Sequence, residues 1–249
     1  MPIKAYQKEI YKKSKLRANW ELSKNLNIGD VGYMDKGAFT LQTTLKDLNI
    51  DFDVRKGIKQ EKLDLSSASG VNVNPRFNAT ADAKVVDLNG EVIFDIAFSK
   101  AKSYIFKASG VRTDIISNIQ EVGKEVVKRH GNDDWDKDLV IITEIMTADA
   151  VTILIAGESG IKTEISATGN ANIAELDLAK ADVGFSASSN KKLSLEVLGK
   201  AGTNPLFKIM GLEKPFFKKP RIMPRGMEVD PNKSATLQFV EKGEIMADE

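Results

Sequence analysis

The sequence predicts an α+β fold dominated by a long, twisted, mostly antiparallel β-sheet with amphipathic hairpins and a few helices. Apolar and polar residues alternate through most of residues 71–108, as expected for strands with one apolar and one polar face. Apolar residues recur at helical spacing over 115–127, which predicts one long helix. Residues 139–146 are almost continuously apolar, which is typical of a strand buried on both faces.

The first predicted element is a basic helix over residues 3–19. Ile3, Tyr6 and Ile10 share one face of this helix, and basic residues surround that face. Basic amphipathic helices bind anionic lipid, whereas most charge runs are the solvated side of a docked helix. The pattern favours a solvated helix docked by Tyr6 and Ile10 and leaves lipid binding open. The candidate lipid contacts are Lys8, Lys12, Lys13, Lys15 and Arg17.

Turns and short strands follow the basic helix. Residues 27–32 are turn-rich and lead into a short predicted strand at 37–41. Ile50, Phe52 and Val54 alternate like a second strand. The glycines of the turn lack the G-x-G-x-x-G pattern between strand and helix, so no dinucleotide site is predicted here.

Residues 71–108 predict a long hairpin whose arms meet at the turn 87–90, where Asn-Gly is a strong hairpin signal. The second arm is expected to continue through Tyr104 and Phe106. Each arm exceeds the roughly 9–11 residues that a strand needs to cross a bilayer. The arms therefore suit a membrane-inserted barrel, but a large soluble sheet would explain them too. The candidate membrane-inserting residues are Val71, Val73, Phe77, Val92, Phe94, Ile96 and Phe98.

The central helix is expected to begin at a cap formed by Thr113 or Asp114 and to end near Gly131, which fits the C′ position. The acidic loop after it has D-x-D-x-D spacing around Trp135. A calcium loop starting at Asp134 would need glycine at its sixth position and glutamate at its twelfth, and neither is present. The loop is therefore predicted to be solvated and anchored by Trp135.

Further strands are predicted after the buried strand at 139–146. Residues 151–155 alternate, a glycine-rich turn follows at 157–160, and residues 161–168 alternate again. The alternation resumes at 183–187 and 193–197. This predicts a second amphipathic hairpin region.

The chain is predicted to form one domain over residues 1–212 and a proline-rich, basic tail over 213–249. A last alternating piece near residue 239 could add an edge strand. A packed strap is favoured for the tail over a phosphate- or lipid-binding surface, because local charge clusters are usually solvated. Its candidate anchors are Phe216, Phe217, Leu237 and Phe239.

Composition excludes several classes of function. Among 249 residues, 36 Lys+Arg oppose 35 Asp+Glu, so no global charge favours nucleic acid. Without cysteine there is no disulfide or thiolate nucleophile, and a reducing compartment is favoured. The single histidine, His130, lies at a predicted helix end, and neither G-x-S-x-G nor a phosphate-binding loop is present. We expect no enzyme activity, cofactor or metal, and a cytoplasmic location, because no signal peptide or membrane helix is evident.

Residues 115–155 resemble part of the gasdermin pore-forming domain. The similarity lies in the helix, the charged loop, the run Val140-Ile141-Ile142-Thr143-Glu144-Ile145 and the following Val151-Thr152-Ile153-Leu154. In that family an apolar strand with Thr-Glu follows such a helix and leads to a Val-Thr-Leu strand, and amphipathic hairpins flank this centre. Bacterial members are similar in length and end in a short inhibitory peptide. They commonly carry a lipidated N-terminal cysteine, which this chain lacks.

The resemblance implies a soluble pore-forming effector whose hairpins insert into membranes as an oligomer while the C-terminal tail restrains them. Its implied partners are membrane lipids on activation, further copies of the chain and, as a candidate activator, a protease. An alternative is a non-enzymatic β-rich structural or interaction protein that homo-oligomerises or binds a partner through its long sheet. An unrecognised hydrolase is a third interpretation.

Overall fold

The computed structural model describes residues 2–19, 21–22, 25–77, 92–168, 184–187, 193–213 and 238–241. Within these residues the chain forms the helices α1 (Pro2–Ser14) and α2 (Ile119–Gly131). The strands are β1 (Arg17–Ala18), β2 (Asp30–Asp35), β3 (Ala38–Thr44), β4 (Val54–Arg55), β5 (Gln60–Asp64), β6 (Val71–Phe77), β7 (Val92–Phe98), β8 (Tyr104–Ile116), β9 (Val140–Ala156), β10 (Ile161–Thr168), β11 (Gly184–Ala187), β12 (Leu193–Glu213) and β13 (Gln238–Glu241). The predicted α+β class, rich in antiparallel sheet, is confirmed.

The strands form two sheets. The larger one, here called the main sheet, has the order β1-β12-β9-β2-β3; β13 also pairs with β12, and β8 pairs with β4, β5 and β9. The smaller one, here called the hairpin sheet, has the order β11-β10-β7-β6. Strands β6 and β7 of the predicted hairpin are therefore separate from the main sheet, whereas β8 belongs to it.

The chain divides into two compact units. The first comprises Met1–Asn25, Lys56–Thr113 and Met146–Phe207, and the second comprises Leu26–Arg55, Asp114–Ile145 and Lys208–Glu249. The boundary predicted at residue 212 between a domain and a tail stays a prediction.

Two apolar clusters form the core of the first unit, and β9 contributes to both. Val151, Ile153 and Ile155 lie in one cluster with Tyr6 and Ile10 of α1, here called the α1 cluster. The intervening Leu154 and Ala156 lie in the other cluster, here called the hairpin cluster, together with buried residues of β7 and β10 in the hairpin sheet. Because successive strand residues point to opposite faces, this part of β9 is covered on both sides.

The core of the second unit forms around α2. Val122 and Val126 pack with Val31, Ile141 and Trp135 in one buried cluster, here called the α2 cluster. Trp135 is buried, so the prediction that it anchors the acidic loop is confirmed.

The structure corrects the predicted start of α2. Ile115 and Ile116 belong to β8 and pair with Arg55 and Val54 of β4, so the helix begins at Ile119 after Asn118. The backbone N–H and C=O groups of this segment are paired in the ladder with β4, so they do not need the hydrogen bonds of a longer helix. Gly131 is the last helical residue and not C′.

Two further boundaries differ from the predictions. The two strands predicted within 139–155 are one continuous strand, β9. Ile50 and Phe52 lie outside any strand, and only Val54 of that predicted strand enters β4. Ile50 is buried and Phe52 packs against the α2 cluster, so tertiary packing explains their apolar character.

Candidate functional site

The hairpin sheet contains the described part of the predicted long hairpin. β6 and β7 pair antiparallel from Val71 opposite Phe98 to Phe77 opposite Val92. β10 pairs with the other edge of β7, with Ile161 opposite Phe98. The hairpin is confirmed over these residues, and the turn predicted at 87–90 lies outside the described residues.

The inner face of the hairpin sheet is apolar. Phe94, Ile96 and Phe98 of β7 and Ile161 and Ile165 of β10 are all buried. They pack against three residues of the main sheet, Ile105, Leu154 and Ala156, while Val71 and Val73 are partly buried beside them. The predicted membrane-inserting residues whose side chains are described therefore share one face. Nothing is described of the side chains of Phe77 and Val92.

The inner face buries one side-chain hydroxyl that has no hydrogen-bond partner among the described residues. This hydroxyl belongs to Thr163 of β10, which is only 3% exposed. A buried polar group without a partner costs roughly 1–3 kcal/mol. The packing of the hairpin sheet on the main sheet is weakened by about that amount.

The outer face of the hairpin sheet carries an ion network that the sequence pattern did not predict. One Nη of Arg76 in β6 donates to Asp95 Oδ1 of β7 at 2.8 Å and to Glu164 Oε1 of β10 at 3.1 Å. The hydrogen bond to Asp95 and its charge raise the pKa of Arg76. The network crosses three adjacent strands, so it links β6, β7 and β10, whose register the backbone pairing already defines.

The second arm of the hairpin is shorter than predicted. β7 ends at Phe98, and the chain turns before β8 begins at Tyr104 in the main sheet. Tyr104 and Phe106 pack in the α1 cluster and not with Phe98. Gly70 contributes to this turn, since its carbonyl accepts from Ser99 and its φ is +85°. Tyr104, Phe106 and Ala108 are therefore core residues of the main sheet.

The basic helix ends earlier than predicted. It stops at Ser14, where Lys15 takes a φ of +62° and donates its N–H to the Tyr11 carbonyl. Arg17 lies in β1 opposite Phe207. Tyr6 and Ile10 are buried, so the predicted docking of the helix through these two residues is confirmed.

The basic residues of α1 differ in their surroundings. Lys4, Lys8 and Lys12 are exposed and spaced four apart, so they lie on one side of the helix. Like charges at this spacing destabilise a helix, and the packed opposite face must compensate. Lys15 is also exposed, whereas Lys13 donates to the Leu65 carbonyl. Lys4 was not among the candidate lipid contacts, although the same spacing pointed to it.

The predicted tail anchors are described only at one position. Phe239 lies in β13 opposite Leu212 of β12, so the edge strand predicted near this residue is present. Phe216, Phe217 and Leu237 lie outside the described residues. The restraining role of the tail stays a prediction.

The described residues contain no group of three or more His, Asp or Glu side chains that could hold a metal ion. Nδ1 of His130 lies 2.8 Å from the Trp135 carbonyl, which ties the end of α2 to the acidic loop. Among the same residues, no helix is long and apolar enough to cross a membrane. The notable arrangement in the described chain is therefore the amphipathic sheet, together with the basic helix.

No protein-family model matches the chain, and no curated protein matches its sequence.

Proposed function

We propose that this protein is a non-enzymatic, pore-forming effector that inserts the strands of the hairpin sheet into a membrane as a homo-oligomer. The observation that carries the proposal is the one-sided burial of the hairpin sheet. Its inner face is apolar and covered by the main sheet, and its outer face carries the network of Arg76, Asp95 and Glu164. Lipid could replace the main sheet on the inner face while water stays on the outer face.

The strand order suits a barrel made from several copies. β6 pairs antiparallel with β7, β7 with β10, and β10 with β11, so the two edge strands run in opposite directions. β6 of one copy could therefore pair antiparallel with β11 of the next, although Pro75 of β6 has no N–H to contribute to that pairing. Every backbone group in lipid must be paired, and only a closed barrel achieves this with strands.

The other parts of the proposal concern targeting and control. The exposed lysines of α1 would attract the chain to anionic lipid from the cytoplasm, by about 1 kcal/mol each at most. Residues 213–249 would restrain the strands until a protease removes them. The resemblance of residues 115–155 to gasdermins supports the same function.

A matched pair of variants in β7 tests the proposal. Phe94→Asp places a charge on the inner face, which costs somewhat less than the roughly 2–4 kcal/mol measured for Arg or Lys at the bilayer midplane. Ile93→Asp places the same charge on the outer face, where Ile93 lies opposite Arg76. We expect Phe94→Asp to abolish leakage of dye from anionic liposomes and Ile93→Asp to retain it.

Folding must be controlled because Phe94 is buried. Each variant is first shown to unfold cooperatively in denaturant. Val73→Asp repeats the inner-face test at a partly buried position, with Asn74→Asp as its outer-face control. A folded inner-face variant that still releases dye as fast as wild type would refute insertion of this face.

Cutting the chain between Gly211 and Gly226 tests the restraint. We expect the nicked protein to release dye once the freed peptide dissociates. A nicked protein that stays folded, monomeric and inactive on vesicles of several compositions would contradict a restrained pore-former.

The second candidate function is a structural or interaction protein that pairs through a sheet edge. Strand β3 lies at the end of the main sheet order, contains no charged residue, and exposes Leu41 by 54%. Natural edge strands usually carry charges or proline that prevent such pairing. Oligomers that form without lipid and are abolished by Leu41→Lys would favour this function over pore formation.

A further inference from the structure

The linker between β5 and β6, residues 65–70, runs beside the start of β8. The N–H of Leu65 donates to the Phe106 carbonyl at 3.0 Å, and the N–H of Ser67 donates to the Tyr104 carbonyl at 2.9 Å. The linker therefore extends the pairing of β5 with β8 up to the start of β6 at Val71. This point is called here the base of the first hairpin, which is formed by β6 and β7.

The hydrogen bonds in the opposite direction, from the N–H groups of β8 to the linker, are accepted by serine hydroxyls. The Tyr104 N–H donates to Ser67 Oγ at 2.9 Å, and the Phe106 N–H donates to Ser66 Oγ at 3.1 Å. In a regular antiparallel ladder, backbone carbonyls of the neighbouring strand would accept these protons. The Leu65 carbonyl, which would accept the Phe106 proton in such a ladder, is thus left available for another donor.

Lys13 of α1 is that donor. Its Nζ donates to the Leu65 carbonyl at 2.9 Å and to the Ser66 carbonyl at 2.5 Å. The same Nζ lies 5.4 Å from the ring centroid of Tyr104, which packs edge-on against Tyr6 with ring centroids 5.1 Å apart. Cation–π attraction adds to the two hydrogen bonds. One ammonium group therefore joins α1, the linker and β8.

We propose that Lys13 is a latch that couples binding of α1 to an anionic lipid surface with release of the base of the first hairpin. The Lys13 side chain is exposed, so a headgroup can reach it. A lipid phosphate is anionic, so it adds the attraction between two opposite full charges to the hydrogen bond, whereas a backbone carbonyl offers only a dipole. When Lys13 turns to phosphate, the two carbonyls lose their donor and the linker loosens. The consequence for membrane insertion rests on the function proposed above.

Hydrogen exchange in the absence of lipid tests the latch itself. Lys13→Met keeps the length and apolar character of the stem but removes the donor, and Lys12→Met is the matched control on the exposed side of the same helix. We expect roughly tenfold faster exchange at the amides of residues 65, 67, 104 and 106 in Lys13→Met, because hydrogen bonds from a charged donor are lost. Lys12→Met should leave these amides unchanged, and Lys13→Arg should largely restore protection.

The amides of β9 serve as the internal control for folding. Faster exchange at the linker with unchanged exchange at Ile153 supports the latch, whereas unchanged exchange at the linker in Lys13→Met overturns it. Equal acceleration throughout the chain would show that Lys13 only stabilises the fold and would also overturn it.

Exchange with added ligand tests the coupling. Vesicles containing phosphatidylserine should speed exchange at the linker amides of the wild-type protein, and pure phosphatidylcholine vesicles should not. Lys13→Met should show no further increase. Acceleration by inorganic phosphate alone, or none by anionic vesicles, would overturn the lipid surface as the trigger. Faster exchange at the linker without dye release would support the latch and refute pore formation. Dye release without faster exchange at the linker would refute the latch and support pore formation.

Discussion

Strands β9 and β7 show how differently two long apolar strands can be held in one protein. Every residue of β9 from Val151 to Ala156 is buried, because apolar clusters cover both of its faces. In β7, buried Phe94, Ile96 and Phe98 alternate with partly buried residues. A strand covered on two faces cannot leave without dismantling the core, whereas a strand covered on one face needs only another apolar surface.

The two faces of the hairpin sheet also differ in charge. On the hairpin sheet, Arg76 and Glu164 have side chains that are 54% and 58% exposed, and both lie on the outer face. The inner face contains no charged residue among those described, although it buries the Thr163 hydroxyl. Under the proposed function, this separation is what would let the hairpin sheet detach.

The largest expected effect comes from truncating isoleucine in each strand. Ile153 of β9 and Ile96 of β7 are each 1% exposed, so Ile→Ala at either site should cost about 2–5 kcal/mol. In Ile153→Ala we expect the loss to lower the free energy of global unfolding and to speed amide exchange throughout the first unit. In Ile96→Ala we expect faster exchange mainly in β6, β7 and β10. Equal acceleration of all amides by both variants would mean that the hairpin sheet does not open separately.

A smaller effect is expected from removing buried hydroxyls that have no partner. Thr163→Val should stabilise the packed hairpin sheet by roughly 1–3 kcal/mol, because valine is close to threonine in size and removes the unpaired hydroxyl. Thr203→Val in β12 is the matched control, since its hydroxyl is also buried without a partner. Both variants should resist denaturant better, but only Thr163→Val should slow dye release. Equal slowing by both would make overall stability, and not detachment of the hairpin sheet, the limiting factor.

The smallest effect is expected on the outer face. Arg76→Gln removes an exposed ion network, which should shift the denaturant midpoint only slightly at low salt, because solvent-exposed ion pairs contribute little to stability. The difference from wild type should largely disappear near 1 M salt, where the screening length is about 3 Å. A loss as large as that of Ile96→Ala would show that the outer face contributes to stability as much as the inner face does.

Local pattern alone determined which faces of the elements are apolar. The period of two in residues 92–98 and 161–166 identified the inner face of β7 and β10, and helical spacing identified Tyr6 and Ile10 as the docked side of α1. The continuous apolar run at 139–146 predicted a strand buried on both faces. These predictions succeeded because side-chain direction follows directly from backbone geometry.

The tertiary structure decided which segments meet. Nothing local distinguishes Phe98 from Tyr104, yet one faces the hairpin cluster and the other the α1 cluster. Nothing local ended the predicted helix at Ile119, because that limit depends on pairing of β8 with β4. The contacts of Lys13 with the linker and of Arg76 with Glu164 join residues 52 and 88 positions apart. Periodicity reports the direction of a side chain, whereas its partner depends on how distant segments pack, and the pattern within one segment contains no information about that.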